Sequence, residues 1–233
     1  MTTQLCRISI VLKVCFIIKP CFVEFPIIAF SVILQPLMFL IQLALSILCD
    51  CLQVPSNVPL YMNTECDKIV QYFTKSTDPD IRVSSTFVLG YMESKLTVDQ
   101  RHHLRLQSQD VRFVTDMLLE SISTDSTFSS PIPLLKALQI VIKAEQGNAQ
   151  TLVSQGIFST AFNALAADNN DVQREIILLL WILACIPTYA EKARAHSNLI
   201  HALQNLQGSS DPKLALASTC VLWDITGGRK TGM

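Results

Sequence analysis

Glycine is scarce, with seven in 233 residues. So few positions able to take left-handed turns argue against an all-β fold built from tight hairpins. Charge of one sign is also missing: the formal net charge is −1, which gives no electrostatic drive toward nucleic acid. Catalytic motifs are absent, with no phosphate-loop, dinucleotide-binding, metalloprotease or nucleophile-elbow pattern. The carboxylates Asp78, Asp80, Asp168, Asp171 and Asp211 fall at apparent turns, where helix capping and solvation account for them. Eight cysteines are present, but none forms a C-x-x-C pair and no histidine stands near them at zinc-ligand spacing. Cys49 and Cys51, two apart, would point away from each other on a helix. The thiols read as small buried hydrophobes of a reducing compartment. Gly227-Gly-Arg-Lys230 reads as a tail and not as a phosphate loop. These absences lead us to expect no catalytic site, no bound metal and no cofactor.

Apolar side chains make up 50% of the chain, so a large core is possible. They are unevenly spread. The first 55 residues carry five charges, on Arg7, Lys13, Lys19, Glu24 and Asp50. The mean hydropathy of +0.37 comes largely from this quarter. From residue 56 onward the composition is that of an ordinary soluble protein.

An internal repeat organises the rest. Asn170-Asp-Val-Gln-Arg-Glu-Ile-Ile-Leu-Leu-Leu-Trp-Ile-Leu183 aligns with Pro212-Lys-Leu-Ala-Leu-Ala-Ser-Thr-Cys-Val-Leu-Trp-Asp-Ile225. Trp181 falls on Trp223, Leu180 on Leu222 and Val172 on Leu214, 42 residues apart. A further copy starts at Asp78 and matches Ile81 with Val172 and Leu89 with Leu180. Between them, Leu138 stands 42 residues before Leu180. Leu40–Leu48 is the earliest candidate. Inside one copy, Asn169, Asn170 and Asp171 favour an N-cap. Val172, Ile176, Leu179, Leu180 and Leu183 form the stripe of a buried helix, and Pro187 stops it. Shorter middle helices are expected at Asp67–Thr74, Ile157–Leu165 and His196–Leu206. Gly156 and the segment Gly208–Pro212 mark turns.

These residues resemble the armadillo repeat, whose unit is a short first helix, a middle helix, a polar turn and a long third helix ending in a pattern like Ala-Leu-Trp-x-Leu. Leu179-Leu-Trp-Ile-Leu183 and Val221-Leu-Trp-Asp-Ile225 look like that ending. The resemblance covers about 190 residues, and HEAT repeats are its nearest neighbours in pattern. It implies an all-α, right-handed α-solenoid of about four repeats over residues 37–226, with third helices near 37–52, 80–93, 131–145, 171–186 and 212–226. An apolar segment, 1–36, precedes it and a disordered tail, 227–233, follows. The family implies a non-enzymatic scaffold of the cytoplasm that binds a protein segment on its concave face. Larger proteins with such arrays often attach a Toll-type or ubiquitin-ligase domain, and no such domain is present here. In arrays that grip extended peptides, an asparagine four residues after the tryptophan holds the ligand backbone. Here Cys185 and Gly227 occupy those positions, with Ser94 in the Ile81 copy, so import-style cargo binding is not implied. Trp181, Cys185 and Trp223 are the candidate partner-binding residues. Each indole has two possible places, in the core between repeats or in the groove.

Residues 25–49 form a 25-residue run without charge, long enough to cross a bilayer. Pro26, Pro36, Gln35 and Gln42 interrupt it. A membrane-anchored adaptor using this run as its span is therefore the alternative to a cytoplasmic scaffold. In the scaffold reading, 37–52 is a third helix whose outer face awaits cover from the preceding chain or a neighbour.

Overall fold

The computed structural model describes residues 31–52, 54, 61, 66–95, 106–123, 131–145, 147–167 and 169–227. Every regular element among the described residues is a helix, and none is a strand. The chain divides into two compact units, residues 1–107 and 108–233.

The first unit holds α1 (Ser31–Leu52), α2 (Cys66–Phe73) and α3 (Pro79–Lys95). α3 packs against both α1 and α2. Its start is set by chemistry legible in the sequence. Asp78 Oδ1 accepts the Ile81 amide at 2.9 Å, and Pro79 opens the first turn, where its missing N–H has no intrahelical partner to lose. Ile81, Val88, Leu89 and Met92 then face the core, each at most 4% exposed. α1 buries Ile41, Ala44, Leu45, Leu48 and Leu52 on one side. It begins six residues before the expected 37, with Pro36 inside the helix. Gln35 and Gln42 are uncharged and do not end the helix, and Pro36 removes one backbone donor without ending it. No helix among the described residues is long and apolar enough to cross a membrane. Residues 25–30 of the anticipated span lie outside the described residues.

The second unit holds α4 (Ser108–Ser123), α5 (Pro131–Ala144), α6 (Gly147–Ser154), α7 (Ile157–Ala166), α8 (Asn170–Ala184), α9 (Pro187–Arg194), α10 (Ser197–Leu206) and α11 (Pro212–Ile225). Two rows result. α8 packs against α5 on one side and α11 on the other, while α7 packs against α4 and α10. The rows are joined by α4 on α5, α7 on α8 and α10 on α11. The short helices α6 and α9 connect one pair of long helices to the next. α9 touches α8, α10 and α11.

Local signals fix these boundaries. Gly156 has φ of 86°, a left-handed conformation open to glycine at no steric penalty, and the chain turns there from α6 into α7. Asn169 caps α8, its Oδ1 accepting from the Asp171 and Val172 amides at 3.1 Å each. Asp211 caps α11 in the same way, accepting from Lys213 at 2.9 Å and Leu214 at 3.4 Å. Pro187 follows the end of α8, as expected, and is also the first residue of α9. α4 was not anticipated, although Val111, Val114 and Leu118 stand at helical spacing and are all buried.

Two substitutions test this account in thermal or denaturant unfolding. Leu180 is 1% exposed, and Leu180→Ala should cost about 2–5 kcal/mol through the cavity it leaves. Asn169→Ala should cost about 1 kcal/mol by stranding two amides. A loss for Leu180→Ala no larger than that for Asn169→Ala would contradict the buried stripe.

Candidate functional site

α5, α8 and α11 stand side by side, and their outward faces make the candidate surface. Along the outward face of α8 and its C-cap, Arg174 and Leu178 are half-buried, and Trp181 and Cys185 are exposed. On α11 the matching residues Leu216, Cys220, Trp223 and Gly227 are all exposed. Trp181 is 44% exposed and Trp223 is 55% exposed. Neither indole is in the core, so the core placement left open by the sequence does not hold. The reason is angular. The buried arc of α8 runs through Val172, Ile176, Leu180 and Ile177, and position 181 falls one step past its edge at helical spacing.

The residue four after Trp181 is Cys185, exposed and outside any disulfide. Its amide donates to the Trp181 carbonyl at 3.1 Å, so it ends α8. Gly227 has φ of 89° and turns the chain at the end of α11. Ser94, the third equivalent, donates its hydroxyl to the Tyr91 carbonyl at 2.7 Å. None of these three carries an amide side chain that could hold a ligand backbone.

Polar contacts tie neighbouring helices together beneath this surface. Gln139 Nε2 of α5 donates to Glu175 Oε2 of α8 at 2.8 Å and to the Glu175 carbonyl at 3.0 Å. Trp181 Nε1 of α8 donates to Asp224 Oδ2 of α11 at 2.8 Å. Arg174 Nη2 reaches Asp211 Oδ2 at 3.2 Å and its Nη1 reaches Asp171 Oδ1 at 3.1 Å. Arg194 of α9 donates to the Ile225 carbonyl through Nε at 2.9 Å and Nη2 at 2.6 Å, which satisfies a carbonyl at the C-terminus of α11. The Asp211 carboxyl is held below the ordinary carboxylate range, first by the Lys213 amide and then by the Leu214 amide and Arg174, with desolvation working against them.

Elsewhere, a cavity of ≈ 330 Å³ lies between α7 and the start of α10, lined by residues that include Phe158, Phe162, Asn163 and His196. The Phe158 and His196 rings are 5.4 Å apart. Burial, with Asp50 next, pushes the Cys49 thiol up to about 12, so it is a neutral thiol near pH 7 and a poor nucleophile. Among the described residues no group of three or more His, Cys, Asp or Glu could hold a metal ion.

No family model matches the chain, and no curated protein matches it. Solved structures do match. One is the crystal structure of an engineered protein from a structural genomics consortium, 17% identical, covering 80% of this chain and 73% of its own, with a TM-score of 0.60. At that identity the likeness speaks to the fold alone, and it agrees with the all-helical architecture described above.

The two tryptophans should behave differently when only the indole N–H is removed. Trp181→Phe deletes a bond to the buried Asp224 and should lower stability by about 1 kcal/mol. Trp223→Phe should leave the melting temperature unchanged. Equal losses would show that the Trp181–Asp224 bond is not formed in solution.

Asp211 supplies a pH test. Its folded carboxyl titrates below the unfolded value of about 3.9. Its contribution is therefore complete above about pH 4 and is lost as pH falls through the lower folded value. Asp211→Asn keeps a capping oxygen but cannot titrate or pair with Arg174 as a charge. Wild type should be the more stable at about pH 7, and the two unfolding curves should converge as pH drops below about 4. A gap that stays constant through that window would exclude the ionised carboxylate as its source.

Proposed function

We propose that this protein is a non-enzymatic interaction scaffold of armadillo-like repeats, in which α1, α3, α5, α8 and α11 are third helices of about four repeats. In this reading the groove lined by the third helices of a right-handed solenoid receives a segment of a protein partner in the cytoplasm. One observation carries the binding part: two indoles, Trp181 and Trp223, are exposed at the same position of adjacent helices, flanked by Leu178, Cys185 and Leu216. Large aromatic side chains held out by rigid helices are the residues that dominate binding energy at interfaces. Supporting the armadillo part are the side-by-side packing of α5, α8 and α11, the parallel row α4, α7 and α10, and the short linking helices.

The lack of asparagine at Cys185, Gly227 and Ser94 says how such a groove would work. Without backbone capture, affinity has to come from side-chain pockets around the indoles, or from a ligand that satisfies its own backbone as a helix.

A photo-crosslinking residue placed at 181 and at 223 should capture one and the same partner, and the same residue placed at 163 on α7 should not. With that partner in hand, Trp181→Ala and Trp223→Ala should each weaken binding about ten-fold or more. Capture from all three positions alike, or full affinity in both variants, would reject the groove.

A further inference from the structure

The side of α11 that faces away from α8 carries a second, distinct surface. It is defined by comparison with α8, which has a neighbour on that side. Ile177 of α8 is 1% exposed, while its counterpart 42 residues on, Thr219 of α11, is exposed. Arg174 is half-buried, and its counterpart Leu216 is 66% exposed. α8 uses this side to receive α11, whereas on α11 the same side meets the Gln207 side chain, whose Nε2 donates to Thr219 Oγ1 at 3.2 Å, and Thr219 stays exposed.

The chemistry of reception repeats. Positions 139, 181 and 223 are successive equivalents. Gln139 gives an N–H to the Glu175 carboxylate of the next helix, and Trp181 gives an N–H to the Asp224 carboxylate of the next helix. Trp223 presents the third N–H of this series, with no acceptor among the described residues. The surface around it is Leu216, Thr219 and Thr226, uncharged and small to medium in size. Two cations border it. Lys213 opens α11, and the Arg194 guanidinium is held against the Ile225 carbonyl at the far end. The one carboxylate in α11, Asp224, is turned to Trp181 on the opposite side.

We propose that this side of α11 is a docking surface for an amphipathic helix of another protein, packed on α11 as α11 packs on α8, with an Asp or Glu accepting the Trp223 indole N–H. The two existing rungs place their acceptors in different turns of the receiving helix. The partner's carboxylate is thus fixed by reach to Trp223 and not by its own position along the helix. An N–H bonded to a carboxylate in a partly desolvated contact is stronger than a neutral hydrogen bond, so the acidic residue contributes selectivity as well as affinity. The proposal shares Trp223 with the groove but does not rest on it.

The probe is a fluorescein-labelled peptide with the sequence of residues 209–227, the helix that α8 already accepts, titrated with the full chain and read by anisotropy. Saturable binding below about 1 mM is expected. Asp224→Asn in the peptide should weaken it about three- to ten-fold. Trp223→Phe in the chain should weaken the acidic peptide by the same factor and leave the Asn peptide unaffected, the coupling of a double-mutant cycle. Thr219→Glu in the chain should abolish binding of both peptides while leaving Leu216, Trp181 and Cys185, and hence any groove partner, in place. Leu216→Asp should also abolish binding of both peptides, and it alters the groove as well. Absence of saturable binding, or equal affinity of the two peptides, overturns the proposal. So does binding that survives both blocking variants, since the peptide would then be displacing α11 from α8. Sedimentation of the peptide-free chain covers the remaining occupant: a dimer lost on Thr219→Glu would assign the face to a second copy and overturn the assignment to another protein.

Discussion

A helix that is apolar around half its circumference cannot stand with one neighbour, and α8 is such a helix. Val172, Ile176, Ile177, Leu179, Leu180 and Leu183 are all at most 6% exposed. Covering that arc requires a helix below it and a helix on each side, which α7, α5 and α11 provide. Each neighbour has the same problem, so the solution propagates as a row. No strand occurs among the described residues, and in the second unit short linkers bring each long helix back alongside the last, so burial accumulates between neighbouring helices.

The same constraint decides which side chains reach solvent. Residues on the buried arc are committed to packing, and those opposite are solvated. Position 181 and its equivalents fall at the border between the two. A side chain there can bond sideways to the next helix and still face solvent. In α5 the border residue is a glutamine that spends both hydrogen atoms of its amide on Glu175. In α8 and α11 it is tryptophan, whose ring keeps a large apolar area exposed even when its single N–H is engaged. Exposed indoles are therefore a consequence of register.

The elements differ in how much of them was legible beforehand. The long helices were, because five apolar residues at helical spacing and a polar cap leave little choice. The expected 80–93, 131–145, 171–186 and 212–226 differ from Pro79–Lys95, Pro131–Ala144, Asn170–Ala184 and Pro212–Ile225 by at most two residues at either end, and the starts at 131 and 212 coincide. Asp78, Asn169 and Asp211 could be read as caps from their type and place alone. α4 was harder. Its stripe of Val111, Val114 and Leu118 is interleaved with Arg112, Asp116 and Thr115, and it matches no repeat copy, so only its contacts with α5, α6 and α7 reveal what it buries. The start of α1 was missed because a proline in an apolar run reads as a boundary, whereas backbone geometry can carry a helix through it.

The candidate site could be named as residues from the repeat but not as a surface. Trp181, Cys185 and Trp223 could be picked from the repeat, yet sequence spacing leaves a border residue's exposure undetermined within one helical step. The bonds that resolve it join residues far apart in the chain, Trp181 to Asp224 and Gln139 to Glu175. Periodicity within one helix carries no information about such pairs, because the angle between neighbours sets which border residues meet. The acceptors show this directly. Asp224 is in the last turn of α11, Glu175 in the second turn of α8, and a rule drawn from either pair would misplace the other. What the repeat does preserve is the donor: an N–H at the same position on three successive helices. On these three helices the donor position recurs at the 42-residue spacing, while the acceptor is set by how each pair of neighbours packs.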